Sequence, residues 1–266
     1  MAERPGRARP APRQARVQRV EWITPHMVRI VLGGPGLADF DAGRFTDHYV
    51  KLLFPDPAAG PDERSRTRTY TVRRWDAASG ELTIDVVVHG DAGVAGPWAA
   101  RAKPGDEVAL MGPGGAYAPD PDADWHLLAG DESALPAIAT ALERLPAGSR
   151  AHVLVEVEGP DEEQKLRSAG EIELRWLHRG GAPVGEALVR AVTELELPAG
   201  SGHVFVHGEA GFVKQLRRLL LVERGLPRDR VSISGYWRLG HDEDRWQATK
   251  REWNQQVEAE QDAVSR

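Results

Sequence analysis

Arg68-Thr69-Tyr70-Thr71 is the tetrapeptide richest in chemical possibility. Alternation along a strand puts Arg68 and Tyr70 on one face. A guanidinium grips a diphosphate through two parallel hydrogen bonds. A tyrosine ring two residues on covers a flat aromatic ligand, and the Thr71 hydroxyl can hydrogen-bond a ring nitrogen. The plain alternative is an arginine–threonine strand on a barrel surface. A second segment, His89-Gly90-Asp91-Ala92-Gly93-Val94-Ala95-Gly96-Pro97-Trp98-Ala99, leaves a strand and enters a short helix through glycines. A helix N-terminus offers free backbone N–H groups and partial positive charge. Glycines let a ligand approach the backbone closely. The same segment also reads as an ordinary glycine-rich turn. Together the two segments suit a dinucleotide with a flat ring at one end.

The third segment is Gly130-Asp131-Glu132-Ser133-Ala134-Leu135-Pro136-Ala137-Ile138. It follows the first strand of an α/β pattern and opens that pattern's first helix, where a nucleotide phosphate would lie. It is not a G-x-G-x-x-G fingerprint, and Asp131 and Glu132 would repel a nearby phosphate. The alternative is a capped helix start whose carboxylates are favoured by the helix dipole. No metal motif is expected. His203 and His207 are four apart on a strand, not a helix, and the chain has no cysteine. That excludes a disulfide scaffold, a thiolate nucleophile and a cysteine-ligated cluster.

These segments need a scaffold, and the chain supplies two kinds. The 266 residues are enough for about two compact units of ~150 residues. Charged residues make up 28% and the hydrophobic set 41%, an ordinary globular balance. The first half reads as strands over residues 28–32, 48–54, 67–73, 82–88 and 107–111, with a polar loop at 56–66 and a helix at 94–102. Short strands with frequent Gly/Pro turns predict a small antiparallel barrel or sandwich. Past Pro119 the rhythm changes. Strands at 126–129, 151–157, 172–177, 203–206 and 231–234 alternate with helices at 133–145, 184–195 and 211–224, which predicts a parallel sheet. Residues 242–260 read as a polar helix with Trp246, Trp253 and Val257 on one stripe, mostly a docking face. A cleft between the two units is the default site.

The net charge of −6 is uneven. Residues 1–20 carry six arginines and one glutamate, leaving −11 on the rest. That acidic body argues against general nucleic-acid binding. No apolar run approaches the ~18 residues of a membrane span, and no secretory signal is read at the N-terminus, so a cytoplasmic location is expected.

The R-T-Y-T, H-G-D-A-G…W-A and G-D-E-S-A-L-P-A-I segments, closed by S-G-Y-W-R-L-G-H-D-E-D, resemble the siderophore-interacting proteins. These are FAD-dependent ferric-siderophore reductases of the ferredoxin–NADP reductase superfamily. The resemblance runs from about Arg16 to the C-terminus, and R-x-Y-T alone marks only the wider superfamily. It implies a basic arm at 1–15, an FAD-binding β-barrel at 16–120, an NAD(P)H-binding α/β domain at 121–240 and a C-terminal helix at 241–266. It places the FAD diphosphate on Arg68 and the isoalloxazine by Tyr70 and Thr71, with Thr69 also among the cofactor-binding residues. His89 and the Gly93, Val94, Ala95, Gly96 helix start would hold the ribityl–diphosphate portion. Tyr236 and Trp237 would cap the flavin. Asp131, Glu132, Ser133 and Ala134 would line the nicotinamide approach, with His207, Gly208 and Glu209 at the next strand end. Where family members often read G-P-A-S, this chain has G-V-A-G, so backbone N–H groups replace a hydroxyl at the diphosphate.

The implied reaction passes a hydride from NADPH or NADH to FAD, then single electrons to Fe(III) in a siderophore, releasing Fe(II). A ferredoxin donor is left open. Siderophores are often anionic, so basic residues beside the flavin would concentrate them. Lys51, a charge within an apolar strand, is the first candidate, with the solvent face of that strand as the alternative. Arg238 is the second. Two other readings share the flavin residues or dispense with them: a flavin reductase serving a partner protein, and a non-catalytic siderophore-binding accessory protein.

Overall fold

The computed structural model of the protein describes residues 11–55, 65–89 and 93–264. Most of the basic arm, positions 56–64 of the polar loop and Gly90-Asp91-Ala92 lie outside the described residues.

Six antiparallel strands close into a barrel. They are β1 (Arg13–Thr24), β2 (Met27–Gly33), β3 (Tyr49–Phe54), β4 (Arg66–Asp76), β5 (Glu81–Val87) and β6 (Glu107–Gly114), in the order β1-β2-β5-β4-β3-β6. Alternation fills the interior: Val28, Ile30 and Leu32 of β2, Val50 and Leu52 of β3, and Leu82 and Ile84 of β5 are fully buried. Helix α1 (Ala95–Arg101) plugs the barrel, with Trp98 edge-on to Phe54. Two differences from the sequence reading have local causes. Strand β1 starts at Arg13, inside the segment read as an arm. Its arginines and glutamate face outward, while Ala15 and Val17 enter the core. Strand β6 does not stop at Met111 but continues to Gly114, opposite Tyr49. A register shift between Tyr49 and Lys51 absorbs the turn-like Gly112-Pro113 as an irregularity in the ladder.

A parallel sheet follows, ordered β11-β10-β7-β8-β9. Its strands are β7 (Trp125–Gly130), β8 (Arg150–Val157), β9 (Glu171–His178), β10 (Gly202–Glu209) and β11 (Val231–Trp237). Near-continuous apolar runs in β7 and β8 reflect burial on both faces. Helices α2 (Leu135–Arg144), α3 (Glu186–Glu194) and α4 (Ala210–Arg218) connect the strands. The expected 211–224 helix loosens after Arg218 into a wider π-type turn. Antiparallel barrel followed by parallel sheet is the architecture expected from the sequence.

Charged pairs join barrel and sheet. Glu162, nearly buried, accepts from Thr24 Oγ1 at 2.5 Å and meets His26 Nδ1 at 2.6 Å. Arg73 of β4 holds Glu143 of α2 through both Nη atoms, at 3.0 and 2.6 Å. The final helix, α5 (Glu243–Val264), returns across the sheet. Its Trp246 is fully buried, donates from Nε1 to the Tyr236 carbonyl at 3.0 Å, and stands edge-on to Trp253. The tryptophan stripe is therefore a docking face.

Candidate functional site

A cavity of about 590 Å³ opens between β3 and β4 of the barrel and the carboxyl ends of β7, β10 and β11, with the start of α5 along one side. Its size falls within the ~300–1,000 Å³ of small-molecule and cofactor sites. Lys51, Arg68, Thr69, Tyr70, Thr71, His89, Glu132, Ser133, His207, Tyr236 and Trp237 all line it. The structure thus gathers residues that the sequence reading drew from separate segments. Gly93, Val94, Ala95, Gly96 and Arg238 are not among the lining residues. Nor are Asp131, Ala134, Gly208 and Glu209.

Arg68 projects from β4 with its side chain 10% exposed. Its fork is already engaged. Nη1 and Nη2 donate to Asp244 Oδ1 and Oδ2 of α5, each at 2.9 Å, and Nη1 also donates to the Thr67 carbonyl. Planar two-point pairing is the geometry a guanidinium also offers a diphosphate. An incoming diphosphate would therefore exchange places with Asp244.

Asp131 sits behind the cavity wall as a brace. Oδ1 accepts from Ser133 N and Ser133 Oγ at 2.9 and 2.5 Å, and Oδ2 from Glu209 N and Trp237 Nε1, both at 2.8 Å. One carboxylate thereby ties the ends of β7, β10 and β11 and fixes the Trp237 indole. Complete burial pushes its pKa up to about 6 against these donors. Glu209 is likewise committed to the backbone. It caps α4 through Gly211 N and Phe212 N and accepts from Leu239 N. Gly208 has φ +143°, and a Cβ there would press on Phe212 and Asp131. Its role is close packing at the strand end.

Glu132 is neutralised by Arg179, which reaches it with both Nη atoms. The repulsion of phosphate expected from this carboxylate is reduced accordingly. His207 is stacked on Phe205 at 4.0 Å, with Tyr236 at 4.8 Å. Burial, then the nearby Lys250 charge, push its pKa down to about 3, so the ring is neutral. Nε2 meets Ser232 Oγ at 3.0 Å, while the buried Nδ1 has no hydrogen-bond partner.

Sequence reasoning missed the contribution of α5. Glu243, Gln247 and Lys250 line the cavity at helical spacing, on the turns that hold Trp246. Burial raises the Glu243 pKa and lowers that of Lys250, and Lys51 lowers the latter further. The two lysines therefore share one cavity. The available signal was the i, i+4 and i+7 spacing of these three residues around Trp246, which once docked places them beside it.

The residues present fit a flavin dinucleotide. Tyr70, Tyr236 and Trp237 supply flat walls, Thr69, Thr71 and Ser133 supply small polar groups, and His207 Nδ1 is a buried polar atom facing no protein partner. Arg68 is a cavity-lining cation whose planar fork would suit a diphosphate. Among the described residues, no cluster of His, Asp or Glu could hold a metal ion, and no helix is long and apolar enough to cross a membrane.

Comparison with known proteins follows the same division. Residues 16–63 and 58–117 match the profile "Siderophore-interacting FAD-binding domain", and residues 123–240 match "Siderophore-interacting protein". Ferric vibriobactin reductase ViuB of Vibrio cholerae is 33% identical over 254 residues, 88% of this chain and 92% of that protein. The NADPH-dependent ferric-chelate reductase of Escherichia coli is 33% identical over 85% of this chain and 92% of that protein. The crystal structure of the siderophore-interacting protein SipS from Aeromonas hydrophila superposes with a TM-score of 0.81 at 32% identity, covering 92% of this chain and 98% of that one. A ferredoxin-NADP+ reductase from Plasmodium falciparum, 12% identical with a TM-score of 0.63, shares the fold; it covers 85% of this chain and 96% of that one.

Proposed function

The chain belongs to the siderophore-interacting protein family, and from that premise we propose that it is a cytoplasmic, FAD-dependent ferric-siderophore reductase driven by NAD(P)H. The observation that carries this reading is the cavity itself. One wall is the strand segment 68–71 and the other is the carboxyl edge of a parallel sheet, where dinucleotides bind. FAD, when bound, would accept one hydride, two electrons together, and give electrons up singly, the conversion needed between a nicotinamide and Fe(III).

The protein's own residues bind and orient. Arg68 would hold the diphosphate. Tyr70 and Tyr236 would flank the ring from barrel and sheet. Thr69 and Thr71 would offer hydroxyl groups at its edge. Ser133, fixed by Asp131, would border the nicotinamide approach, with Trp237 held in place by the same carboxylate. Neutral His207 offers a hydrogen bond without a charge. Lys51 and Lys250 bring two ammonium groups into a cavity that also holds Asp47 and Glu243, and they would be the groups that meet an anionic chelate. No protein ligand to iron is required, because oxygen donors that grip Fe(III) hold Fe(II) far more weakly. Arg238 lies off the cavity and is left out of the binding set.

Anaerobic stopped-flow absorbance tests the reading. NADH or NADPH is expected to bleach the flavin, and a ferric siderophore to restore its colour. A reduced flavin that stays bleached in the presence of the ferric siderophore overturns it. A protein that binds no flavin overturns it as well.

A further inference from the structure

Every group hydrogen-bonded to the Asp131 carboxylate is a donor. Its Oδ1 accepts from Ser133 N at 2.9 Å and Ser133 Oγ at 2.5 Å, and its Oδ2 from Glu209 N and Trp237 Nε1, both at 2.8 Å. The three N–H groups have no lone pair to offer in return. The Ser133 hydroxyl has a single proton, and the carboxylate takes it. Ser133 lines the cavity, while Asp131 is fully buried behind it. What Ser133 Oγ presents to the cavity is therefore its lone pairs and no proton. A free hydroxyl turns to suit a donor or an acceptor; this one is fixed as an acceptor.

Helix α2 brings this group to one end of the cavity. It packs on β4, where Thr140 Oγ1 donates to the Arg73 carbonyl at 3.2 Å and Glu143 pairs with the Arg73 side chain. One helical turn before Thr140 is Pro136, and Ser133 precedes it; both line the cavity with Thr71. Arg68 lies three residues, about 10 Å, further from this anchor along the strand. With the diphosphate on Arg68, Ser133 meets the ring and not the phosphates. Ring nitrogen N5 of an oxidised flavin is an acceptor with no hydrogen. Two electrons and one proton turn it into an N–H donor. An acceptor-only partner favours the reduced form and sets lone pair against lone pair in the oxidised one.

We propose that Asp131 is a positioning residue for flavin reduction: by holding the Ser133 proton it keeps Ser133 Oγ an acceptor for the N–H that the ring gains, and so raises the flavin midpoint potential. The inference rests on the reductase reading above and adds the residue pair that sets its driving force.

Dithionite titration of the FAD-loaded protein against reference dyes reads this potential, without nicotinamide and above neutral pH, where Asp131 is ionised. Ser133→Ala is expected to shift the equilibrium toward the oxidised flavin by about three- to tenfold, a fall of roughly 15–30 mV for a two-electron couple. Ser133→Thr keeps the hydroxyl and is expected to restore the potential. Asp131→Asn turns an amide N–H toward Ser133 Oγ and releases the hydroxyl proton to the cavity. It is expected to lower the potential at least as far, and the Ser133 variants decide the matter should it fail to fold. A residue that only packs would weaken both redox forms of the cofactor alike. An unmoved or raised potential in Ser133→Ala therefore overturns the inference. So does slower reduction by NADH at an unmoved potential, which would give the acceptor to the electron donor instead. In either case a flavin that bleaches with nucleotide and recovers with ferric siderophore leaves the reductase reading standing. Protein that binds no flavin overturns both.

Discussion

Arg68 and Asp244, 176 residues apart, meet through two parallel 2.9 Å hydrogen bonds that pin the last helix to the barrel. The same guanidinium is the proposed diphosphate ligand of the cofactor, so helix and cofactor would compete for it. Arg68→Ala is expected to weaken FAD retention, and Asp244→Asn to strengthen it by about three- to tenfold, since losing the half-exposed carboxylate frees the buried guanidinium for the diphosphate. Flavin content and fluorescence titration measure both. A full flavin complement in Arg68→Ala would remove the diphosphate assignment, and unchanged affinity in Asp244→Asn would remove the competition.

Asp131 gives the protein a specific pH signature. Its pKa is about 6 in the fold, above the usual carboxylate value. The folded state therefore holds the proton more tightly, and this group's stabilising contribution declines as pH rises from about 4 to 6, by roughly 3 kcal/mol at most. The amide introduced by Asp131→Asn cannot titrate. The Tm of the natural protein, measured relative to that of Asp131→Asn, should fall across that window and level off above it. A difference that is flat from pH 4 to 7 would contradict the assigned ionisation.

Lys51 and Lys250 should act on substrate charge. Replacing either with Ala is expected to lower kcat/KM for an anionic ferric chelate by about three- to tenfold relative to a neutral one. Rising ionic strength should erase the difference. Equal losses on both substrates would mean that the lysines pack the cavity and do not attract the chelate.

Trp246→Ala should cost about 3–5 kcal/mol, because the indole is fully buried and its N–H holds the Tyr236 carbonyl. Trp253, only partly buried, should cost less. Chemical denaturation gives both values. A Trp246 variant as stable as the parent would show that α5 does not depend on this contact.

Much of this was legible beforehand, and the exceptions have physical causes. Strands such as the one read at 82–88 declare themselves through β-branched alternation with one face buried. Strand β1 did not, because charged residues dominate its exposed positions and only Ala15 and Val17 mark the core face near its start. In the site, residues 68–71 and the cavity-lining Ser133 were picked out from local pattern, while the cavity-lining Tyr236 and Trp237 came only from the family resemblance. The direction of Asp131 was not, since its Oδ2 is filled by donors from β10 and β11, more than 70 residues away. The engagement of Arg68 by Asp244 and of Glu132 by Arg179 depends on tertiary approach, which no spacing rule encodes.

Barrel closure also has a practical corollary. Because β1 seals the gap between β2 and β6, a version shortened beyond Arg13 would strip hydrogen-bond partners from two strands at once. It would leave a pair of raw edges prone to stick to neighbouring molecules. Shortened versions for crystallisation are best cut ahead of that point.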